Sequence, residues 1–311
     1  MDAFLKGFYG YKNFWDEMLF FGLVNWINNN YDISKLIVEA WDQIWLEDWI
    51  KDNKNYLWPI LDKLEIVPIN PYKIRHISHA FNLLWLWKYR KLFKFFGWWE
   101  VLDDSREFPH DWRNIALLYN RSICKKNFAL LWWIWTTKKS ITKELYNFII
   151  PKAKTIICRE KVSYHIAKKY NSNSVLYEDF SSDILNKFIE SNPIQDKLLL
   201  PYVLINLTPR SYSNDSLNRI QKFCEEYPNH KKIFFPCDIT DDSQYFIELK
   251  KIIPEIELYN RTKHTLSDAL TLFYNSDWWI GARLHFLFPL KIFKKNYKAL
   301  IYEEKIEKMI G

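Results

Sequence analysis

The sequence predicts an α/β protein built from two doubly wound, Rossmann-like domains in series. Three observations carry this. Short apolar runs alternate with stretches of helical periodicity along almost the whole chain. The alternation pauses at Ser191-Asn192-Pro193 and then restarts. A corner near the C-terminus, Ser276-Asp277-Trp278-Trp279-Ile280-Gly281-Ala282-Arg283-Leu284-His285-Phe286, reads as a buried strand, a tight turn and a helix start. In open α/β sheets such strand-to-helix turns bind anions, because free backbone N–H groups and the positive helix end point there.

In order, the first half reads as follows. Ala3 to Gly10 is a strand, 11–17 its loop, and Met18 to Asn28 a helix. Leu36–Glu39 and Leu64–Ile69 are strands, and His76 to Tyr89 is helical. The strand Lys91–Gly97 runs into Trp98-Trp99, and Asn114 to Cys124 is helical. The strand Phe128–Leu131 runs into Trp132-Trp133-Ile134-Trp135, before a helix from Ile141 to Ile150. Strand Thr155–Arg159, helix Lys161 to Tyr170 and strand Ser174–Tyr177 complete a domain spanning 1–190.

The second domain, 191–311, repeats the plan. Its strands are Tyr202–Leu207, Lys232–Pro236, Ile256–Tyr259, the corner strand, and Tyr297–Tyr302. Its helices are Leu217 to Tyr227, Gln244 to Ile252, Leu266 to Tyr274, and Glu303 to Ile310. Two such domains imply a cleft between them.

Composition narrows the class. A hydrophobic fraction of 49% and a charged fraction of 26% are those of a globular chain. The net charge of +7 is dispersed, with pairs such as Lys138-Lys139 and Lys294-Lys295 set among acidic residues. That pattern reads as solvated helix faces and not as a nucleic-acid footprint. It leaves room for anionic substrates and for peripheral membrane contact. Cys124, Cys158, Cys224 and Cys237 lack metal-type spacing and read as reduced core thiols of a cytoplasmic protein. No signal-peptide pattern or bilayer-length apolar run is seen. His76 and His79 lack an acidic or cysteine partner, so neither a metal nor another cofactor is expected.

One feature is out of proportion. The chain has 16 Trp and 6 Gly, where ordinary usage would give about 22 Gly. Trp15, the pair Trp98-Trp99, and Trp132, Trp133 and Trp135 all follow strands, where a tight turn or close ligand approach calls for Gly. Trp41 and Trp278-Trp279 fit the pattern less firmly. Reading these Trp as Gly restores ordinary α/β loops. A gene from a lineage that reads UGA as glycine, translated with UGA as tryptophan, produces this pattern. The alternative is genuine tryptophan, packed as aromatic core or lining a sugar site.

With those positions read as Gly, the chain resembles the polysaccharide pyruvyl transferase family along most of its length. The resemblance is carried by Asn13-Phe14-Trp15-Asp16-Glu17, Gly97-Trp98-Trp99, Trp133-Ile134-Trp135 and Arg159-Glu160-Lys161-Val162-Ser163. It continues in Arg210, in Arg283-Leu284-His285 and in Tyr302-Glu303-Glu304-Lys305. It implies a GT-B-like pair of domains, with the acceptor on the first and phosphoenolpyruvate on the second. The implied reaction moves a pyruvyl group onto a glycan or lipid-linked sugar as a ketal, in the bacterial cytoplasm or at the inner membrane face. Family members usually run a little past the last strand, which implies a shortened end at Gly311.

That chemistry needs fixed cations for a phosphate and a carboxylate, a general acid for the vinyl carbon, and a base for the sugar hydroxyl. The resemblance assigns Arg283 and Arg210 to the anionic groups. His285 hydrogen-bonds phosphate or transfers a proton, although taken alone it reads as a core or capping histidine. Asn13, Asp16 and Glu17 face them from the first domain, with Asp16 in acid/base work and Asn13 and Glu17 on the acceptor. Taken alone, the two acids read first as helix capping and dipole complementarity, with the functional role second. Lys305 is a ligand contact or a surface lysine, and Arg210 a ligand contact or a surface arginine. Competing functions are a GT-B glycosyltransferase using a nucleotide sugar and an inactive glycan-assembly binding protein.

If Trp15, Trp98 and Trp133 are misread glycines, sequencing the gene will find UGA at those codons. Finding UGG there overturns the substitution.

Overall fold

A computed structural model describes residues 1–57, 60–68, 89, 91–97, 128–131, 144, 147–148, 150–159, 161–191 and 201–300. The helices expected at 76–89, 114–124, 141–150 and 303–310 lie wholly or largely outside them. So do the tryptophans at 98, 99, 132, 133 and 135, and the acidic residues Glu100, Asp103 and Asp104, which the sequence reads as a solvated loop or as hydroxyl-binding groups after Trp98-Trp99.

The described elements form two all-parallel sheets. The first holds β1 (Asp2–Tyr9), β2 (Lys35–Ala40), β3 (Leu64–Pro68), β4 (Phe93–Gly97), β5 (Phe128–Leu131), β6 (Thr155–Cys158) and β7 (Ser174–Leu176), in the order β3-β2-β1-β4-β5-β6-β7. The second holds β8 (Tyr202–Ile205), β9 (Lys231–Phe234), β10 (Glu257–Leu258), β11 (Trp278–Gly281) and β12 (Asn296–Ala299), in the order β10-β9-β8-β11-β12. Each order reverses direction once, between β1 and β4 and between β8 and β11. That reversal is the topological switch point where doubly wound sheets bind ligands. The central strands are buried along their whole length, as in Phe128–Leu131 and Tyr202–Ile205, because helices cover both faces of a parallel sheet.

The helices are α1 (Phe14–Asn30), α2 (Gln43–Asp52), α3 (Lys161–Tyr170), α4 (Ser181–Ser191), α5 (Asn214–Glu226), α6 (Gln244–Ile252), α7 (Leu266–Asn275) and α8 (Leu284–Phe293). Local chemistry sets several starts. Ser213 accepts from the Ser216 amide ahead of α5, and Thr265 and Asp268 form a reciprocal capping box on α7. α1 begins four residues before the expected Met18. The Asn13 carboxamide caps it, accepting from the amides of Trp15 (3.1 Å) and Asp16 (3.4 Å). Residues 14–17, expected in a loop, are therefore the first turn of a helix.

The chain divides into two compact units. One comprises Met1–Gly10, Leu23–Asp48 and Leu57–Phe180, and contains the first sheet. The other comprises Tyr11–Gly22, Trp49–Tyr56 and Ser181–Gly311, and contains the second. The sequence placed the boundary at 190/191. The structure puts α4 and two N-terminal segments with the second sheet. Both segments are bonded into that unit: the Phe14 amide donates to the Cys237 carbonyl at 2.7 Å, and the Asn53 carboxamide accepts from the Leu266 amide at 2.6 Å.

Two glycines have a steric reason. Gly10 has φ +78°, and a Cβ there would lie 2.7 Å from the Asp42 carbonyl oxygen. A Cβ on Gly281 would meet the Phe286 ring at 2.4 Å and Asn206 Cβ at 3.1 Å, so the end of β11 packs tightly against the end of β8.

Trp15, Trp41, Trp278 and Trp279, the described members of the suspect set, do not adopt left-handed backbone. Among the described residues only Lys12 and Lys294 combine a side chain with positive φ. Trp15 lies inside α1, fully buried and edge-on to Phe288 at 4.8 Å. Trp279 is fully buried in β11, and Trp41 is 61% exposed. At these positions the backbone places no φ requirement for glycine. In the turn before Trp15 it is Lys12 that adopts the left-handed backbone, at φ 62°.

Cys158, Cys224 and Cys237 are buried. Burial pushes the Cys224 thiol up to about 12 and raises Cys237 further, the latter against the pull of nearby Arg283 and Arg261. These three thiols are expected to resist alkylation at pH 8 in the native protein and to react only after unfolding. Peptide mass spectrometry after timed labelling checks this.

Candidate functional site

The site is built at the C-terminal ends of β9, β8 and β11, all in the second unit. Asn206 directly follows β8, Asp242 lies in the loop after β9, and Arg283 caps the start of α8 after β11. Two of these flank the switch point.

Asp242 is completely buried. Its Oδ1 accepts from Arg283 Nη2 (2.6 Å) and Nε (3.0 Å). Its Oδ2 accepts from Arg283 Nε (2.9 Å), the Asp238 amide (3.1 Å) and Asn206 Nδ2 (3.3 Å). Asn206 closes the arrangement: its Oδ1 accepts from the Arg283 amide (3.2 Å), and its Nδ2 also donates to the Phe235 carbonyl (3.0 Å). A buried carboxylate is tolerable only when paired and hydrogen-bonded in this way. Burial opposes the charge on Arg283, but Asp242, by charge and by hydrogen bonds, outweighs it and raises the guanidinium above its ordinary value. Arg283 stays a cation. Its side chain keeps 20% exposure.

A second arginine organises the neighbouring turn. Arg261 is 3% exposed. Its Nη2 donates to Glu17 Oε2 (2.6 Å), and its Nη1 to the carbonyls of Cys237 (2.7 Å) and Lys12 (3.0 Å). The guanidinium lies over Phe14 (5.1 Å) and Phe235 (5.9 Å). The Phe14 amide donates to the Cys237 carbonyl at 2.7 Å, and Asn13 forms an antiparallel bridge with Asp238. Asn13, Asp16 and Glu17 thus share a compact unit with Arg283. The sequence placed them on the opposite domain.

The expected site residues fare unequally. Arg283 is at the strand end, paired with Asp242. Glu17 is buried against Arg261, Asn13 caps α1, and Asp16 lies buried in the first turn of that helix. Arg210 is exposed in the turn that Thr208 and Ser211 close after β8. His285 is the second residue of α8, and its side chain is outside the described structure, as is all of Lys305. Asn206, Asp242 and Arg261 were not singled out from the sequence. A polar residue directly after the buried run Tyr202–Ile205 marked Asn206. Nothing local marked the other two.

Among the described residues no group of three or more His, Cys, Asp or Glu could hold a metal ion. Within the same residues no helix is long and apolar enough to cross a membrane.

Solved structures are similar to this chain over nearly its whole length. A UDP-GlcNAc 2-epimerase from Neisseria meningitidis, bound to UDP-GlcNAc, aligns over 99% of this chain and 85% of its own, with TM-score 0.61 and 9% identity. The chain has a GT-B-like fold. A glycosyltransferase from Rickettsia africae matches over 96% of this chain and 79% of its own, with TM-score 0.52 and 13% identity. An Anabaena protein solved with UDP-glucose matches over 96% and 80%, with TM-score 0.54 and 10% identity. No protein-family model and no curated protein matches the sequence.

Arg261→Ala is expected to cost about 3–5 kcal/mol of stability, because it removes the buried guanidinium that answers the Glu17 carboxylate. Adding Glu17→Ala should recover part of that loss. Urea denaturation of the single and double variants measures both, and additive losses would contradict the pairing.

Proposed function

We propose that this chain is a sugar-handling enzyme that binds a nucleoside-diphosphate sugar at the switch point of its second sheet. The observation that carries the reading is the charge state of the corner. Arg283 is a permanent cation, but a buried carboxylate pairs with it, so the pair contributes little net charge. Phosphoenolpyruvate carries a phosphate and a carboxylate on three carbons and calls for unshared cations. A nucleotide sugar spreads its recognition over diphosphate, ribose, base and sugar, and backbone N–H groups at a helix start can hold much of the diphosphate. Arg283 precedes α8 in just that position. The Neisseria epimerase and the Anabaena protein, solved with UDP-GlcNAc and UDP-glucose, support the same class of ligand.

A pyruvyl transferase is the second reading, favoured by one observation. Asn13, Asp16 and Glu17 share a unit with Arg283, so these motif residues and the arginine belong to one compact body. Within this reading, His285 and Asp16 would handle protons, Arg210 and Lys305 would add cations, and a glycan or lipid-linked sugar would accept the group. The burial of Glu17 against Arg261 weighs against its contact with an acceptor.

Thermal denaturation with UDP, UDP-GlcNAc, UDP-glucose and phosphoenolpyruvate separates the readings. A uridine nucleotide at a hundredfold excess over its Kd should stabilise the protein by about 2.7 kcal/mol. Stabilisation by phosphoenolpyruvate alone sinks the nucleotide-sugar reading.

A further inference from the structure

We propose that Asp242 is a positioning residue that fixes which edge of the Arg283 guanidinium meets an anionic ligand. The inference rests on the nucleotide-sugar reading for the ligand's identity, and on geometry for everything else. Both Asp242 oxygens are saturated by donors, and the side chain is fully buried. It therefore neither touches solvent nor has capacity left for a ligand. Its hold on Arg283 takes Nε and Nη2 and leaves Nη1, which has no bonding partner among the described residues. Arg283 is held at both ends, since Asn206 accepts from its amide and also donates to Asp242. A guanidinium so constrained has one plane and one outward edge. It offers a directed cation in place of a mobile one.

A residue that merely supported the fold would affect ligand binding independently of Arg283. A positioning residue acts through it. The test is a double-mutant cycle of Asp242→Asn and Arg283→Ala, read as UDP affinity by calorimetry. Each single change is expected to weaken UDP binding by about 10- to 100-fold, the range of one charge-assisted hydrogen bond. The double variant should bind no more weakly than Arg283→Ala alone. Multiplying losses, or wild-type affinity in Asp242→Asn, overturns the proposal. If Asp242→Asn folds poorly, Arg283→Lys carries the test. Lysine keeps the charge but cannot span Asp242 and a ligand with one planar fork, so it should bind UDP as weakly as Arg283→Ala. Wild-type affinity in Arg283→Lys also overturns it.

Wild-type protein that ignores UDP but binds phosphoenolpyruvate removes the nucleotide-sugar reading, and the same cycle with phosphoenolpyruvate then decides the role of Asp242. Binding of neither probe overturns both.

Discussion

A guanidinium with 3% exposure must have its charge answered from inside the protein. Arg261 meets that requirement with one carboxylate, the carbonyls of Cys237 and Lys12, and two aromatic faces. The groups that satisfy it come from the turn before α1, from the first turn of α1 and from the loop after β9. The second unit therefore includes residues 11–22, and the loop that carries Asp242 has a fixed floor. Asp238 connects the two: it bridges Asn13, and its amide donates to Asp242.

The two arginines illustrate opposite uses of one chemistry. Arg261 is enclosed, and its pairing is structural. Arg283 is paired just as closely but keeps a fifth of its side chain exposed, at the strand ends where doubly wound sheets bind ligands. Pairing at the edge of a site lowers its net charge while sharpening its direction. That combination suits a ligand recognised through many groups better than a small trianion.

The alternation of apolar runs with helical periodicity was enough to read both sheets, because buried parallel strands such as Tyr202–Ile205 are continuous apolar segments. Arg283 was legible for the same reason: it follows Gly281 at the end of such a run. What could not be read was pairing at long range. Nothing near Asp242 in sequence announces Arg283, 41 residues away. Nothing near Glu17 announces Arg261, 244 residues away. The start of α1 was a local miss. Asn13 is a strong capping residue, but the expectation of glycine at Trp15 suggested a loop where the backbone is helical.

The scattered membership of the second unit bears on how the chain is made. Glu17 leaves the ribosome 244 residues ahead of its partner Arg261. Until then the first turn of α1 carries Glu17 and the large apolar side chains Phe14 and Trp15 without the surfaces that bury them. Contacts of such sequence separation slow folding and leave aggregation-prone surface exposed in the interval. An excised fragment starting at Ser181 would lack the carboxylate that answers Arg261. A cut at the linker would separate this unit from residues 11–22 and 49–56, so its integrity is decided by segments far apart in sequence.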